Sequence, residues 1–268
     1  MDRRPIGVFD SGIGGLTVVK EIMDVLPYED IIYFGDTARV PYGSKSKETV
    51  TKFSFQCIRF LLEKGVKAIV IACNTASASS LDAAQQSFDI PIIGVVDPGA
   101  VTACKVTKTN KIGIIGTEGT VSSGAYEKAI YRIDNTVDMQ LKACPLFVPI
   151  AEEGWQDTDI AKLTARRYLL DLKDSGIDAL VMACTHYPLL ENTIEEVVGK
   201  DIRLVNPAYE TAKVLELMIN SNGLKNENPR EAEYRYYVSD NPVKFKKVGE
   251  NFLHKPVGWV QKIDIEKY

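Results

Sequence analysis

The chain has 268 residues, of which 45% are hydrophobic and 25% charged, and its formal net charge is −4. This length allows two domains, each with its own core. The acidic balance, with no long run of lysine or arginine, argues against nucleic acid as a partner and favours a small-molecule ligand. No apolar stretch reaches the roughly 20 residues of a membrane span, and no signal-peptide pattern is present, so we expect a cytoplasmic protein without membrane contact.

The cysteines are odd in number and lack CxxC spacing: Cys57, Cys73, Cys104, Cys144 and Cys184. Such a set indicates neither a disulfide framework nor a zinc site. We therefore expect free thiols and no bound metal ion.

Short β-branched runs alternate with longer amphipathic stretches. The pattern predicts strands at 6–9, 31–34, 68–72 and 92–95, separated by helices at 15–26, 46–64 and 76–88. After Asp97-Pro98-Gly99 it restarts, with strands at 111–115, 139–143 and 179–183 and helices at 122–131 and 157–174. A helix at 208–219, an asparagine-rich polar stretch at 221–230 and a strand at 233–239 follow, and we expect this last part to return to the first unit.

Two pairs of segments indicate an internal duplication. Residues 68–75 (AIVIACNT) resemble 179–186 (ALVMACTH), and residues 6–11 (IGVFDS) resemble 112–117 (IGIIGT). Because ligands bind at the carboxyl ends of parallel strands, the residues that follow these runs should lie at the rims of two sheets. The prediction is an α/β protein of two pseudo-symmetric parallel-sheet domains that face each other across a cleft, residues 1–97 plus 208–268 and residues 98–207.

Six strings extend over nearly the whole chain in a familiar order: VFDSGIGGLTV (8–18), YFGDTARVPYGSKS (33–46), IACNTASA (71–78), GVVDPGA (94–100), GTEGT (116–120) and MACTHYPLL (182–190). They resemble the corresponding strings of bacterial glutamate racemases, in the aspartate/glutamate racemase superfamily. The resemblance implies an enzyme that interconverts L- and D-glutamate without a cofactor, supplies D-glutamate for peptidoglycan synthesis and acts as a homodimer.

The two strand-end cysteines agree with this chemistry. Racemisation at Cα requires a base on one face of the carbon and an acid on the other, and two thiols with a pKa of about 8.5 can serve near neutral pH. Cysteine is also among the most buried residue types, so Cys73 and Cys184 could instead be packing residues, as we expect for the other three. The resemblance implies that Cys73 takes the proton from D-glutamate and Cys184 takes it from L-glutamate.

The resemblance also assigns supporting residues. It implies that Asp10 assists the first thiol, that His186 assists Cys184, and that Glu152 lies near the site with Glu153 as its exposed neighbour. Asp36 is either a turn residue or an auxiliary residue that ranks below these, and Arg39 receives no role. The substrate-binding residues that the resemblance implies are Asp10, Ser11, Pro41, Tyr42, Gly43, Asn74, Thr75, Thr117, Thr185 and His186.

Two alternatives remain open. One is a relative that racemises aspartate or hydantoins, which would share the two-thiol chemistry but differ in its side-chain pocket. The other is a catalytically silent amino-acid-binding protein of two lobes, in which both cysteines are packing residues.

Overall fold

The computed structural model describes residues 2–226 and 231–268, which form two parallel β-sheets flanked by helices. In chain order the strands are β1 (Ile6–Asp10), β2 (Ile31–Gly35), β3 (Ala68–Ile71), β4 (Ile92–Gly94), β5 (Lys111–Gly116), β6 (Asp138–Ala143), β7 (Ala179–Ala183), β8 (Arg203–Val205), β9 (Tyr234–Val238) and β10 (Val260–Lys262). The helices are α1 (Leu16–Val25), α2 (Lys47–Glu63), α3 (Asn74–Ser87), α4 (Val96–Val106), α5 (Glu118–Ser122), α6 (Ala125–Tyr131), α7 (Phe147–Glu152), α8 (Asp159–Asp174), α9 (Glu191–Val198), α10 (Pro207–Ser221) and α11 (Pro242–Leu253). Two short 3₁₀ helices span Tyr187–Leu190 and Ile265–Lys267.

The two sheets share one topology. The larger has six strands in the order β10-β9-β2-β1-β3-β4, and the smaller has four in the order β6-β5-β7-β8. Without β9 and β10, each strand of the first sheet has a counterpart at the same place in the second. The registers also agree, since Ile6 lies opposite Ala68 as Ile112 lies opposite Ala179. The predicted pair of similar parallel-sheet units is confirmed.

The central strands consist of continuous apolar residues because helices cover both faces of each sheet. Every residue of β1, β3 and β7 is buried. At the carboxyl ends the chain turns directly into helices, with Cys73 as the N-cap of α3 and Thr117 as the N-cap of α5. Each of these side chains accepts a backbone N–H three residues further on, a standard way of starting a helix. The N-cap residues Cys73 and Thr117 therefore lie at the rims of the two sheets.

Two of the predicted features differ from the structure. The helix expected at 122–131 begins only at Ala125, as α6, because Gly124 has a φ of 66° and leaves the helical conformation, and Ser122 instead ends a separate helix, α5. The expected break at Asp97-Pro98-Gly99 lies inside α4. Pro98 is tolerated there because the first turn of a helix leaves its N–H groups without intrahelical partners.

The C-terminal part returns to the first sheet, as predicted: β9 pairs with β2, and β10 pairs with β9. The sequence analysis did not predict the helices α4, α5, α7, α9 and α11 or the strands β8 and β10. Residues 227–230 of the polar stretch lie outside the described residues.

The helix α10 packs on α1 of the first unit and on α4, which itself packs on β7 and β8 of the second. The exact domain boundaries stay a prediction, since helices at the junction contact both units. Within residues 2–226 and 231–268, no helix is long and apolar enough to cross a membrane.

Candidate active site

A cavity of about 350 Å³ lies between the carboxyl ends of the two sheets. Both units contribute to its wall, which consists of Ser11, Val40, Pro41, Tyr42, Gly43, Ser44, Cys73, Asn74, Thr75, Thr117, Glu118, Pro145, Val148, Pro149, Glu152, Ala183, Cys184, Thr185 and His186. A larger open groove of about 1200 Å³ beside α3 and α6 contains none of the predicted site residues. The smaller cavity is therefore the candidate site.

The structure brings all but one of the predicted site residues to this cavity. Both strand-end cysteines line it, whereas Cys57, Cys104 and Cys144 do not. Glu152 lines it as well, while Glu153 is exposed outside it. Asp10 is the exception, because its side chain is fully buried behind the wall.

Cys73 lies at the start of α3 with 6% of its surface exposed. Its sulfur accepts the backbone N–H of Ala76 at 3.4 Å and donates to the Ser11 hydroxyl at 3.6 Å. Burial, and then the nearby carboxylate of Asp10, raise the pKa of Cys73 to about 12. This thiol is therefore protonated at neutral pH.

Cys184 begins a chain of polar contacts in the second unit. Its sulfur lies 3.8 Å from Nδ1 of His186, whose Nε2 lies 3.2 Å from Oε1 of Glu152. Burial favours the neutral imidazole, but the hydrogen bonds to Cys184 and Glu152 outweigh it and raise the pKa of His186 to about 10. The hydrogen bond to His186 lowers the pKa of Glu152. The geometry therefore favours a protonated His186 beside the Glu152 carboxylate.

Asp10 makes its side-chain hydrogen bond with Thr185, the residue after Cys184, and not with Cys73. Its Oδ2 accepts the backbone N–H of Gly12 at 2.9 Å, and its Oδ1 accepts the Thr185 hydroxyl at 3.4 Å. Burial raises the pKa of Asp10, while the charge of His186 and nearby backbone N–H groups oppose this rise. Asp10 therefore acts on the two thiols through intervening groups or through the electrostatic effect of its charge.

The glycine-rich turn after β1 allows the two units to approach closely. A Cβ at Gly14 would collide with the Thr185 hydroxyl and lie 2.6 Å from Nδ1 of His186. The turn therefore serves close backbone packing beneath the Cys184 half of the site.

Hydroxyl and amide groups join the units above the cavity. The Thr75 hydroxyl lies 2.8 Å from that of Thr117 and 3.1 Å from that of Thr120. The Asn74 amide oxygen accepts the hydroxyl of Tyr126 at 2.7 Å. These contacts cross from α3 to the second unit, so the polar wall depends on both units together.

No arginine lines the cavity among the described residues. The Arg39 guanidinium lies outside it, bonded to Asp36 at 2.7 Å and stacked 3.9 Å above the Phe53 ring. Asp36 also accepts the hydroxyls of Tyr42 and Ser239. Asp36 therefore supports the 40–44 loop from behind and does not face the cavity.

Sequence reasoning missed two groups of residues. Val40, Pro145, Val148 and Pro149 form an apolar part of the wall. From α11, the Phe252 ring packs perpendicular to the His186 ring at 5.4 Å, and Lys244 Nζ lies 3.9 Å from Oε2 of Glu152. The C-terminal segment carries no motif, so no sequence signal pointed to these contacts.

Histidine, cysteine, aspartate and glutamate side chains of residues 2–226 and 231–268 form no group of three or more suited to a metal ion. The fold and the site define an α/β protein of two repeated units in which one cysteine of each unit faces a shared cavity. The model of the Asp/Glu/Hydantoin racemase family matches residues 14–215, and the chain belongs to this family.

Individual glutamate racemases are similar to this chain over its whole length. The chain is 50% identical over 266 residues to a glutamate racemase from Geobacter metallireducens, covering 99% of this chain and 98% of the relative. A glutamate racemase from Francisella tularensis, solved in complex with D-glutamate, superposes with a TM-score of 0.94 at 42% identity and full coverage of both chains. An aspartate racemase from Picrophilus torridus covers 83% of this chain and 95% of its own, with a TM-score of 0.56 and 20% identity, a likeness that shows the fold alone.

Replacing Glu152 with glutamine should shift the pH profile of activity. Because the Glu152 carboxylate is one of the groups that raise the pKa of His186, its loss should move the high-pH limb of kcat to lower pH and reduce kcat about tenfold. The measurement is kcat between pH 6 and about pH 10 for the wild type, E152Q and the matched exposed variant E153Q. An unchanged high-pH limb in E152Q, or an equal shift in E153Q, would contradict the assigned contact.

Proposed function

We propose that this protein is a glutamate racemase that interconverts L- and D-glutamate by proton transfer between Cα and two cysteines. The observation that carries the proposal is the placement of Cys73 and Cys184 at equivalent strand ends of two units around one cavity. Full-length similarity to named glutamate racemases supports glutamate as the substrate.

For L-glutamate, the Cys184 thiolate takes the proton from one face of Cα, and the Cys73 thiol gives its proton to the opposite face. The products are D-glutamate, a Cys184 thiol and a Cys73 thiolate. The reverse reaction exchanges the two roles. The raised pKa of Cys73 and the imidazolium beside Cys184 suit the first of these two starting states.

The weak acidity of Cα–H is the main barrier. A carbanion-like transition state needs donors that are already oriented, in a site from which water is excluded. The cavity offers hydroxyls, the Asn74 amide and the N-terminus of α3 on one side, and apolar side chains such as Val40 and Val148 on the other. This combination allows substrate charges to be held without an arginine.

The direct test is incubation with L-glutamate in deuterated water, without added cofactor or metal ion. We expect the circular dichroism of the amino acid to decay to zero while the Cα position of the product acquires deuterium. A stable optical signal with no exchange would exclude racemisation and favour the silent binding protein. Repeating the assay with L-aspartate tests the substrate assignment, since comparable rates for both would contradict specificity for glutamate.

We further propose that the protein acts in the cytoplasm as a homodimer and supplies D-glutamate for peptidoglycan synthesis.

A further inference from the structure

A buried tyrosine of the second unit contacts an amide of the first directly beside Cys73. The residue is Tyr126 on α6, 1% exposed, whose hydroxyl donates to Oδ1 of Asn74 at 2.7 Å. Gly99 on α4 leaves room for this hydroxyl, because a Cβ there would lie 3.2 Å from the phenolic oxygen. The contact is thus built from three elements and does not depend on mobile surface groups.

This contact determines which end of the amide faces the cavity. Burial raises the pKa of Tyr126, so the phenol keeps its proton and donates it. A side-chain amide has one acceptor oxygen and one nitrogen with two donors. With Oδ1 turned to Tyr126, Nδ2 has no hydrogen-bond partner among the described residues, and Asn74 lines the cavity. The amide nitrogen therefore keeps both of its N–H donors available beside the cavity.

The equivalent position of the other repeat has the opposite polarity. Thr185 follows Cys184 as Asn74 follows Cys73, and its hydroxyl donates to Asp10 of the first unit at 3.4 Å. A hydroxyl that donates its proton backwards keeps its acceptor lone pairs for the cavity. A partner from the opposite unit thus orients each of these two residues. Tyr126 leaves Asn74 as a hydrogen-bond donor toward the cavity, and Asp10 leaves Thr185 as an acceptor.

We propose that Tyr126 is a positioning residue that holds the Asn74 amide as a two-proton donor for the substrate carboxylate bonded to Cα. The inference rests on the proposed racemase function, since a Cα between the two thiols places its carboxylate and ammonium beside the residues that follow them. The donor at Asn74 suits the carboxylate, and the acceptor at Thr185 suits the ammonium. Because Tyr126 belongs to the second unit, the donor is oriented only when both units have this relative placement.

The experiment is a double-mutant cycle with Y126F and N74A, with KM and kcat measured for both enantiomers. We expect Y126F to raise KM for glutamate about tenfold by freeing the amide, with kcat changing by less than about threefold. In the N74A background the same substitution should have no further effect. The matched control is Y187F, which removes another buried hydroxyl, bonded to the Cys144 carbonyl at 2.9 Å, and whose effect should be equal in both backgrounds.

A wild-type KM in folded Y126F, or an equal effect of Y126F in both backgrounds, overturns the inference. If thermal melting shows that Y126F does not fold, G99A replaces it, because the added Cβ would lie 3.2 Å from the phenolic oxygen and 3.0 Å from the Pro207 side chain, so that the phenol must shift away from its present position. A rise in KM for G99A that disappears in the N74A background supports the inference, and its absence overturns it. Failure of the wild type itself to racemise glutamate overturns the proposed function as well, whereas an active wild type with additive variants overturns the inference alone.

Discussion

Replacement of either Cys73 or Cys184 with serine is expected to abolish racemisation, with kcat falling about 10³-fold or more. A positioned acid or base contributes roughly 10² to 10⁴ in rate, and a serine hydroxyl is a far weaker acid than a thiol with its ordinary pKa of about 8.5. Each variant loses one of the two groups that must act on opposite faces of Cα.

Exchange in deuterated water distinguishes the two variants from each other. In C73S the remaining thiol can remove and return the proton of L-glutamate, so we expect slow deuterium exchange of L-glutamate without inversion. In C184S the same exchange should be restricted to D-glutamate. The controls are C57S and C104S, whose sulfurs do not line the cavity. A similar loss in all four variants would indicate a folding defect and contradict the assignment.

His186→Gln is expected to reduce kcat about 100-fold, since it removes the imidazolium 3.8 Å from the Cys184 sulfur. The equilibrium constant between two enantiomers is unity, so kcat/KM must remain equal in both directions. The asymmetry appears instead in isotope effects. If proton abstraction by Cys184 becomes slower, the Cα-deuterium effect on kcat/KM should increase for L-glutamate and decrease for D-glutamate. Equal isotope effects for the two enantiomers would place His186 outside the Cys184 half of the site.

The same residue should make the stability of the fold depend on pH. The pKa of His186 is raised from 6.5 to about 10 in the folded protein, so protonation stabilises the folded state. This contribution is complete below about pH 6.5 and is lost as the pH rises through 10. The difference in free energy of unfolding between the wild type and H186Q should decrease over that range, as urea titrations would show, and a difference that is constant with pH would contradict the raised pKa.

Most of the architecture could be predicted because it follows from local patterns. Buried parallel strands need continuous apolar runs, and the amphipathic stretches between them predict helices. The prediction was wrong where one residue changes the local geometry, as at Gly124, and where Pro98 resembles a break but fits the first turn of α4. The sequence analysis overlooked α11 although its buried residues Phe245, Phe252 and Leu253 recur at helical spacing.

The candidate site was predicted only in part. The resemblance selected the residues that line the cavity, but the supporting contacts required coordinates. Asp10 was expected beside the first thiol, and its charge does raise the pKa of Cys73, but its hydrogen bonds to Gly12 and Thr185 could not be predicted from the sequence. Asp36 supports the Tyr42 loop from outside. Side chains that act from behind the wall have no distinctive spacing, because their partners come from other parts of the chain.

The sequence by itself determined the alternation of strands and helices, the duplication, and the delivery of one cysteine to the end of a strand in each unit. These features depend on residues that are neighbours along the chain. Only the tertiary structure decided how the two halves orient each other: Tyr126 on Asn74, Asp10 on Thr185, and Phe252 on His186. Each of these contacts joins residues more than 50 positions apart, so its geometry depends on how the two units pack and not on any local pattern.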